Sequence, residues 1–255
     1  MFINNFDPVA FNFFSLEIRW YSLAYIFGIT IGWFYCKKYL IKDRSILNIF
    51  DDLIAYLIIG IILGGRLGYI LIYNFDYYLN HLTEILMIWK GGMSFHGGLV
   101  GVLISTLFFS KKHNINPFIF LDLISAVAPI GIFLGRIANF LNSELYGKQT
   151  EIFWSVIFPK IDNLTRHPSQ IYEALFEGLI LFLILNLLIR KNMLNKKGKI
   201  TSYFLIFYSL FRFLLEFFRE PDPQIGYLII NITMGQVLSI FLFAIGVGLF
   251  FKKNE

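Results

Sequence analysis

The residues of this chain best suited to holding an anion stand in strings that are otherwise apolar. Arg136, Asn139 and Glu144 lie in "FLGRIANFLNSELYG" (133–147), and Tyr208, Arg212, Glu216 and Arg219 lie in "YSLFRFLLEFFREPD" (208–222). Arg66 interrupts "IGIILGGRLGYI" (59–70), and His96 stands in "GGMSFHGGL" (91–99). Arginine offers planar, bidentate donation that suits a phosphate. On a helix, Tyr208, Arg212, Glu216 and Arg219 fall at i, i+4, i+8 and i+11, a polar stripe about 80° wide at 100° per residue. Glu216 can bridge Arg212 and Arg219 there, and Arg136 and Asn139 share a face at i, i+3.

The elements that carry these residues read as membrane spans. Hydrophobic residues make up 57% of the chain, mean hydropathy is +0.65 and only 15% of residues are charged, against about 25% charged in a soluble domain. Several runs reach the ~20 apolar residues that a span needs, without the alternation of a β-barrel. The expected fold is an all-α integral membrane protein. It is a bundle of about seven transmembrane helices near 20–36, 51–73, 93–110, 118–141, 170–190, 201–218 and 227–251. Residues 1–255 form a single polytopic domain with a small external loop region at about 142–169. The N-terminal string "MFINNFDPVAFNFF" lacks the basic n-region of a cleavable signal. The single Cys36 excludes an intramolecular disulfide and a Cys-rich metal site.

Orientation follows from the positive-inside rule. Thirteen of the 22 Lys and Arg fall in one set of loops and six in the other, leaving Arg66, Arg136 and Arg212 within spans. The richer side is cytoplasmic, with the N-terminus outside and the C-terminus inside. The net charge of +5 is then a matter of topology and needs no nucleic acid. On this topology Arg66, His96, Arg136, Asn139, Arg212 and Arg219 gather in the outer half of the membrane. A charge at mid-membrane costs roughly 2.5–3.5 kcal/mol on insertion scales and marks a functional site by default. Structural ion pairs or snorkelling explain a single arginine as well as function does. They explain poorly three arginines at one depth on different helices.

Other features read as structural. Gly60, Gly64 and Gly68, Gly97 and Gly101, and Gly131 and Gly135 form small-xxx-small pairs that let helices approach closely. Asp51 and Asp52 read as acidic caps at a helix start. His81, His113 and His167 read as solvated loop residues. The strings 59–70 and 130–140 echo one another, and chance among Gly/Ile/Leu-rich helices accounts for that. From the residues alone, the expectation is an anion-binding, lipid-phosphate site in the outer leaflet, with the reaction open.

Six strings go further. "GRIANFLNSELYG" (135–147) resembles the signature of the prolipoprotein diacylglyceryl transferase family. "RWYSLAY" (19–25), "GGMSFHGGLVG" (91–101), "RHPSQIYEALFEG" (166–178), "FRFLLEFFREPD" (211–222) and "MGQVLS" (234–239) resemble further family blocks in the family's order. The resemblance implies transfer of the diacylglyceryl group of phosphatidylglycerol to the lipobox cysteine thiol of a prolipoprotein signal peptide. A thioether forms and glycerol phosphate leaves. It implies Arg136 on the phosphate, Asn139 and Glu144 positioning the headgroup, and Gly147 at a signature position. Arg212 then stabilises the leaving phosphate with support from Glu216 and Arg219, and Tyr21 and Tyr208 line the site. Arg66 is a further headgroup candidate. Histidine ordinarily titrates near 6.5, about neutral pH, so His96 is the candidate for assisting thiol deprotonation, an orienting hydrogen bond being the alternative. No metal or organic cofactor is implied, and the implied location is a bacterial cytoplasmic membrane with the active site toward the outer leaflet.

Rival classes stay open at this stage. A lipid transporter needs a polar path continuing inward, where the helices look apolar. A non-catalytic chaperone does not need His96. A lipid phosphatase would use water in place of a thiol.

Overall fold

The computed structural model describes residues 2–14, 16–87, 89, 91–221, 226–228 and 232–252. The chain divides into two compact units, Met1–Cys36 with Asp122–Glu255, and Lys37–Leu121. Four helices among the described residues are long and apolar enough to cross a membrane: Arg44–Leu71, Pro117–Leu141, Ser169–Arg190 and Met234–Phe251. The chain is accordingly a mostly helical, multi-pass membrane protein.

The larger unit begins with three short strands, β1 (Phe2–Ile3), β2 (Val9–Phe13) and β3 (Leu16–Arg19). β2 and β3 pair antiparallel with an irregularity between Val9 and Phe11 and lead directly into α1 (Trp20–Tyr35). In the same unit, α1 meets the C-terminal part of α5 (Pro117–Leu141) at Gly28, where an added Cβ would lie 3.1 Å from the Gly131 Cα. Gly131 and Gly135 both have open space in place of a Cβ of their own, so the close approach at this seam is required by Gly28 and not by the expected Gly131/Gly135 pair. After α5, the loop region 142–169 carries two further short strands, β4 (Val156–Ile157) and β5 (Thr165–Arg166). β1, β4 and β5 form one sheet, parallel between β1 and β4 and antiparallel between β4 and β5. Phe158 fills the space beneath this sheet, its ring 5.9 Å from Phe140 and 6.3 Å from Tyr146. Val156 and Phe158 are thus the core of a small folded cap, with Phe153 and Trp154 exposed on it. No strand was expected from the sequence, and β1, β4 and β5, at two residues each, are too short to carry a periodicity.

A single helical rod follows in three pieces: α6 (Ser169–Glu173), a π-helical stretch (Ala174–Ile180) and α7 (Leu181–Arg190). α8 (Lys199–Leu215) and α9 (Met234–Phe251) pack on each other. Asp122, buried near the start of α5, caps α8 across the fold. Its carboxylate accepts from the backbone N–H of Gly198 at 2.6 Å and of Thr201 at 2.8 Å, and from the Thr201 hydroxyl at 2.7 Å. Thr233 and Gln236 form a reciprocal capping box at the start of α9. The helix expected from 227 therefore begins at Met234. Residues 229–231 of that expected span lie outside the described residues.

The smaller unit is built on α2 (Arg44–Tyr73), packed against α4 (Phe95–His113). A Cβ on Gly64 would collide with the Gly97 carbonyl oxygen and come within 2.9 Å of the Gly101 Cα. Small residues allow this backbone-to-backbone approach where lipid supplies no hydrophobic drive between helices. Asp51 and Asp52 are not caps. α2 starts seven residues earlier, where the Asp43 side chain accepts from Ser45 N at 2.8 Å. Asp51 instead pairs with Lys37 at 2.9 Å. A short helix, α3 (Phe75–Asn80), and a 3-10 turn (Leu82–Leu86) lead toward α4.

Candidate active site

Arg136 lies on α5, Arg212 on α8 and Arg219 just beyond the end of α8. All three converge on carboxylates of the rod 169–190. Arg136 Nη1 is 3.0 Å from Glu173 Oε2, and its Nη2 donates to Glu177 Oε2 at 3.0 Å. Arg212 Nη1 donates to Glu173 Oε1 at 2.7 Å and lies 3.6 Å from Glu177 Oε1. Arg219 Nη1 is 3.8 Å from Glu173 Oε1. The side chains of Glu173 and Glu177 are 0% exposed, whereas those of Arg136 and Arg212 are 15% and 12% exposed. The two carboxylates are fully buried, and the two arginine side chains beside them keep only a small residual exposure.

Local sequence explains the approach. Gly178 in the π-helical stretch sits against α5, where a Cβ would lie 2.6 Å from the Phe133 Cβ. That contact is one helical turn before Arg136. π-helical turns inside α-helices recur at functional sites because they re-aim side chains.

Glu216 holds the other flank. Its Oε2 is 2.6 Å from Arg212 Nη2, and its Oε1 accepts from Thr233 Oγ1 at 3.0 Å. A Cβ on Gly235 would meet the same carboxylate at 2.7 Å. The expected Arg212–Glu216 pair is therefore present. Glu173, absent from the expected site, lies against Arg219. Tyr208, half-buried, stacks on Phe204 at 5.6 Å and interacts electrostatically with Arg136, Arg212 and Glu177. Tyr21 is half-buried at the start of α1, its ring 5.4 Å from Tyr25.

Asn139 faces a neighbouring cluster. Its Nδ2 donates to Glu144 Oε2 at 3.2 Å, Asn142 Nδ2 donates to Glu144 Oε1 at 3.4 Å, and Gln170 Nε2 donates to the Glu144 carbonyl at 2.6 Å. Gly147 anchors the cap region. Its N–H donates to the His167 carbonyl at 3.1 Å, it bridges to Arg219, and a Cβ would meet the Phe218 carbonyl at 2.8 Å. Arg166 donates to the Gly147 carbonyl at 3.1 Å and to Asp162 Oδ2 at 2.5 Å, with Glu220 at 3.3 Å. That hydrogen bonding holds the Asp162 carboxyl below its usual range and raises Arg166. His167 is not solvated: its ring lies 5.2 Å from Phe218, and burial lowers its pKa. His113 ends α4 with its ring 4.4 Å from Phe109.

The remaining candidates belong to the smaller unit. His96 is exposed in the first turn of α4. Arg66 is buried and wrapped in backbone carbonyls. Its Nε donates to Ile85 at 2.9 Å, its Nη2 to Glu84 at 2.6 Å and Met87 at 3.2 Å, and its Nη1 to Gly91 and, at 3.3 Å, Gly92. Gly91 and Gly92 both have φ +82, the left-handed region that glycine enters without penalty. This conformation turns their carbonyls to the guanidinium. Its donors are engaged by backbone carbonyls of the chain itself.

Sequence reasoning missed Glu173 and Glu177. Two acids four apart in the apolar run "YEALFEGLI" were a usable signal, since an unpaired carboxylate in lipid needs a cation.

Comparison with known proteins gives the family. Residues 8–252 match the pattern of the family described as prolipoprotein diacylglyceryl transferase. The chain is 48% identical over 253 residues to the phosphatidylglycerol–prolipoprotein diacylglyceryl transferase of Rickettsia bellii, covering 98% of this chain and 96% of that protein. It is 46% identical over 250 residues to the protein of that name from Methylocella silvestris, covering 95% and 92%. For the Rhodopseudomonas palustris protein of that name the figures are 49% over 251 residues, covering 95% and 88%. Length, identity and the run of matched residues together make this chain a member of the prolipoprotein diacylglyceryl transferase family.

Proposed function

We propose that this transferase moves the diacylglyceryl group of phosphatidylglycerol onto the lipobox cysteine thiol of a prolipoprotein signal peptide. The observation that carries the reading is the convergence of Arg136, Arg212 and Arg219 on apolar segments, with the first two partly exposed. The cysteine thiolate attacks the glyceryl carbon, the carbon–oxygen bond to phosphate breaks, and glycerol phosphate leaves as a thioether forms. Negative charge gathers on the leaving oxygen, and fixed guanidinium groups in a dry site stabilise it.

Arg136 binds the donor phosphate and Arg212 stabilises the departing one. Glu216 and Arg219 hold Arg212 and the helix end in place, and Tyr21 and Tyr208 line the lipid site. Asn139 presents Glu144 toward the headgroup hydroxyls, and Gly147 keeps the cap seated over them. His96 takes the thiol proton, acting as general base. Arg66 serves the fold of residues 82–92. The chain works as one polytopic domain of seven spans in a bacterial cytoplasmic membrane, with the N-terminus outside and this chemistry toward the outer leaflet. Loop charge supports that orientation.

The test uses purified protein in detergent with phosphatidylglycerol and a lipobox peptide bearing a free cysteine. Release of glycerol phosphate coupled to a diacylglyceryl mass gain on the peptide is expected, and both are lost with a Cys→Ser peptide. Release without mass gain would instead identify a lipid hydrolase.

A further inference from the structure

We propose that Glu177 is a resident counter-ion that the donor phosphate must displace from Arg136 and Arg212, and whose return expels glycerol phosphate. The inference rests on the transferase reading above. It makes Glu177 a positioning residue and involves no bond or proton exchange of its own.

The charge balance comes first. Three arginines (136, 212 and 219) face three glutamates (173, 177 and 216), so the cluster is formally neutral before any lipid arrives. A phosphodiester gains little from a neutral cluster in a medium of low dielectric. It gains much from a guanidinium whose carboxylate has moved aside.

The two buried carboxylates of the rod are not equally held. Glu173 touches all three arginines and accepts a hydrogen bond from Arg212 at 2.7 Å. Glu177 touches only two, at 3.0 Å and 3.6 Å, and the hydrogen bond it accepts from Arg136 is the longer at 3.0 Å. It also stands in the π-helical stretch, next to Gly178, whereas Glu173 closes α6. Glu177 is therefore the weaker-held partner, and it sits where the helix is already rearranged.

The gain lies in turnover. The donor phosphate carries one negative charge and the leaving glycerol phosphate up to two, so a bare arginine pair would bind product more tightly than substrate. A tethered carboxylate that competes for the same guanidinium groups opposes that retention, and interactions that favour product over transition state do not speed turnover.

Glu177→Gln keeps an acceptor for Arg136 and removes the charge. The expected result is a KM for phosphatidylglycerol lowered about tenfold and inhibition by added glycerol phosphate strengthened about tenfold or more. The steady-state kcat falls while the single-turnover rate of peptide modification is retained. Glu177→Asp, which keeps the charge and shortens its reach, shifts the same quantities in the same direction by less. Wild-type protein supplies a check that needs no variant: its inhibition constant for glycerol phosphate should exceed its KM for phosphatidylglycerol. Strong product inhibition of the wild type overturns the proposal. So does an unchanged KM and product inhibition in folded Glu177→Gln, or a raised KM with a lost single-turnover rate. Absence of coupled turnover in the wild type would count against the transferase reading itself, and the two failures are thereby distinct.

Discussion

Arg66 and Arg136 stand in similar strings, "GGRLG" and "LGRIAN", each on a helix long and apolar enough to span a membrane. Their surroundings differ in kind. Arg66 gives its donors to five backbone carbonyls and lies 5.2 Å from the Tyr78 ring. Arg136 gives its donors to two glutamate side chains. Carbonyls belong to the chain and cannot leave without unfolding it, so Arg66 is a fastener. Carboxylates on side chains can swing away and can be replaced by another anion, so Arg136 is available for exchange. On the reading proposed above, a buried arginine serves function or structure according to whether its partners are replaceable.

The largest effect that would break this distinction is at Arg136. Arg136→Ala removes the partner of two buried carboxylates. It should lower stability by about 3–5 kcal/mol and activity by at least about 10²-fold. Thermal unfolding in detergent checks the first, and the peptide mass-gain assay the second. Adding Glu177→Ala should restore part of the melting temperature and none of the activity. Recovery of activity in that double variant would show that Arg136 acts only as a charge partner.

A smaller effect is expected at Arg66. Lys carries three donors on a compact head and cannot span carbonyls from Glu84 to Gly92. Arg66→Lys should cost about 2–3 kcal/mol and open residues 82–92 to limited proteolysis. The KM for phosphatidylglycerol should stay unchanged in protein that remains folded. A raised KM would return Arg66 to the headgroup.

The smallest effect lies at a third arginine, intermediate between the two. Arg166 has both a backbone partner, Gly147, and a replaceable one, Asp162, at a partly exposed site. Asp162 has a folded pKa below its unfolded value of about 3.9. Its contribution is therefore present above that value and lost as pH falls through the folded one. Asp162→Asn should lower stability by under about 1 kcal/mol at neutral pH. The difference from wild type should close below about pH 4. A difference that persists unchanged in acid would mean that the pair contributes by packing alone.

Much of this was legible from residue types. The apolar runs marked the helices, the Gly60/64/68 and Gly97/101 spacing marked the α2–α4 seam, and buried arginines on helices 4 and 6 of the expected bundle marked the site. What was hidden depends on tertiary partners. Nothing local distinguishes Arg66 from Arg136, because the carbonyls that enclose one and the carboxylates that face the other come from distant chain. Asp51 and Asp52 resembled caps because acids at the edge of an apolar run usually are. The true start at Asp43 lies in a polar string that hydropathy reads as loop. Glu173 and Glu177 were visible as acids four apart in an apolar run, yet the arginines that both of them face come from other helices.

The tie from Asp122 to the start of α8 has a bearing on how the protein is made. The first of its backbone partners, Gly198, is 76 residues downstream, so at about 5–20 residues per second the carboxylate waits about 4–15 s for its donors during synthesis. Through that interval an acidic side chain near the start of α5 has to be kept hydrated or sheltered. The cap that buries Asp122 is thus completed only after α8 has been made, late in synthesis of the larger unit.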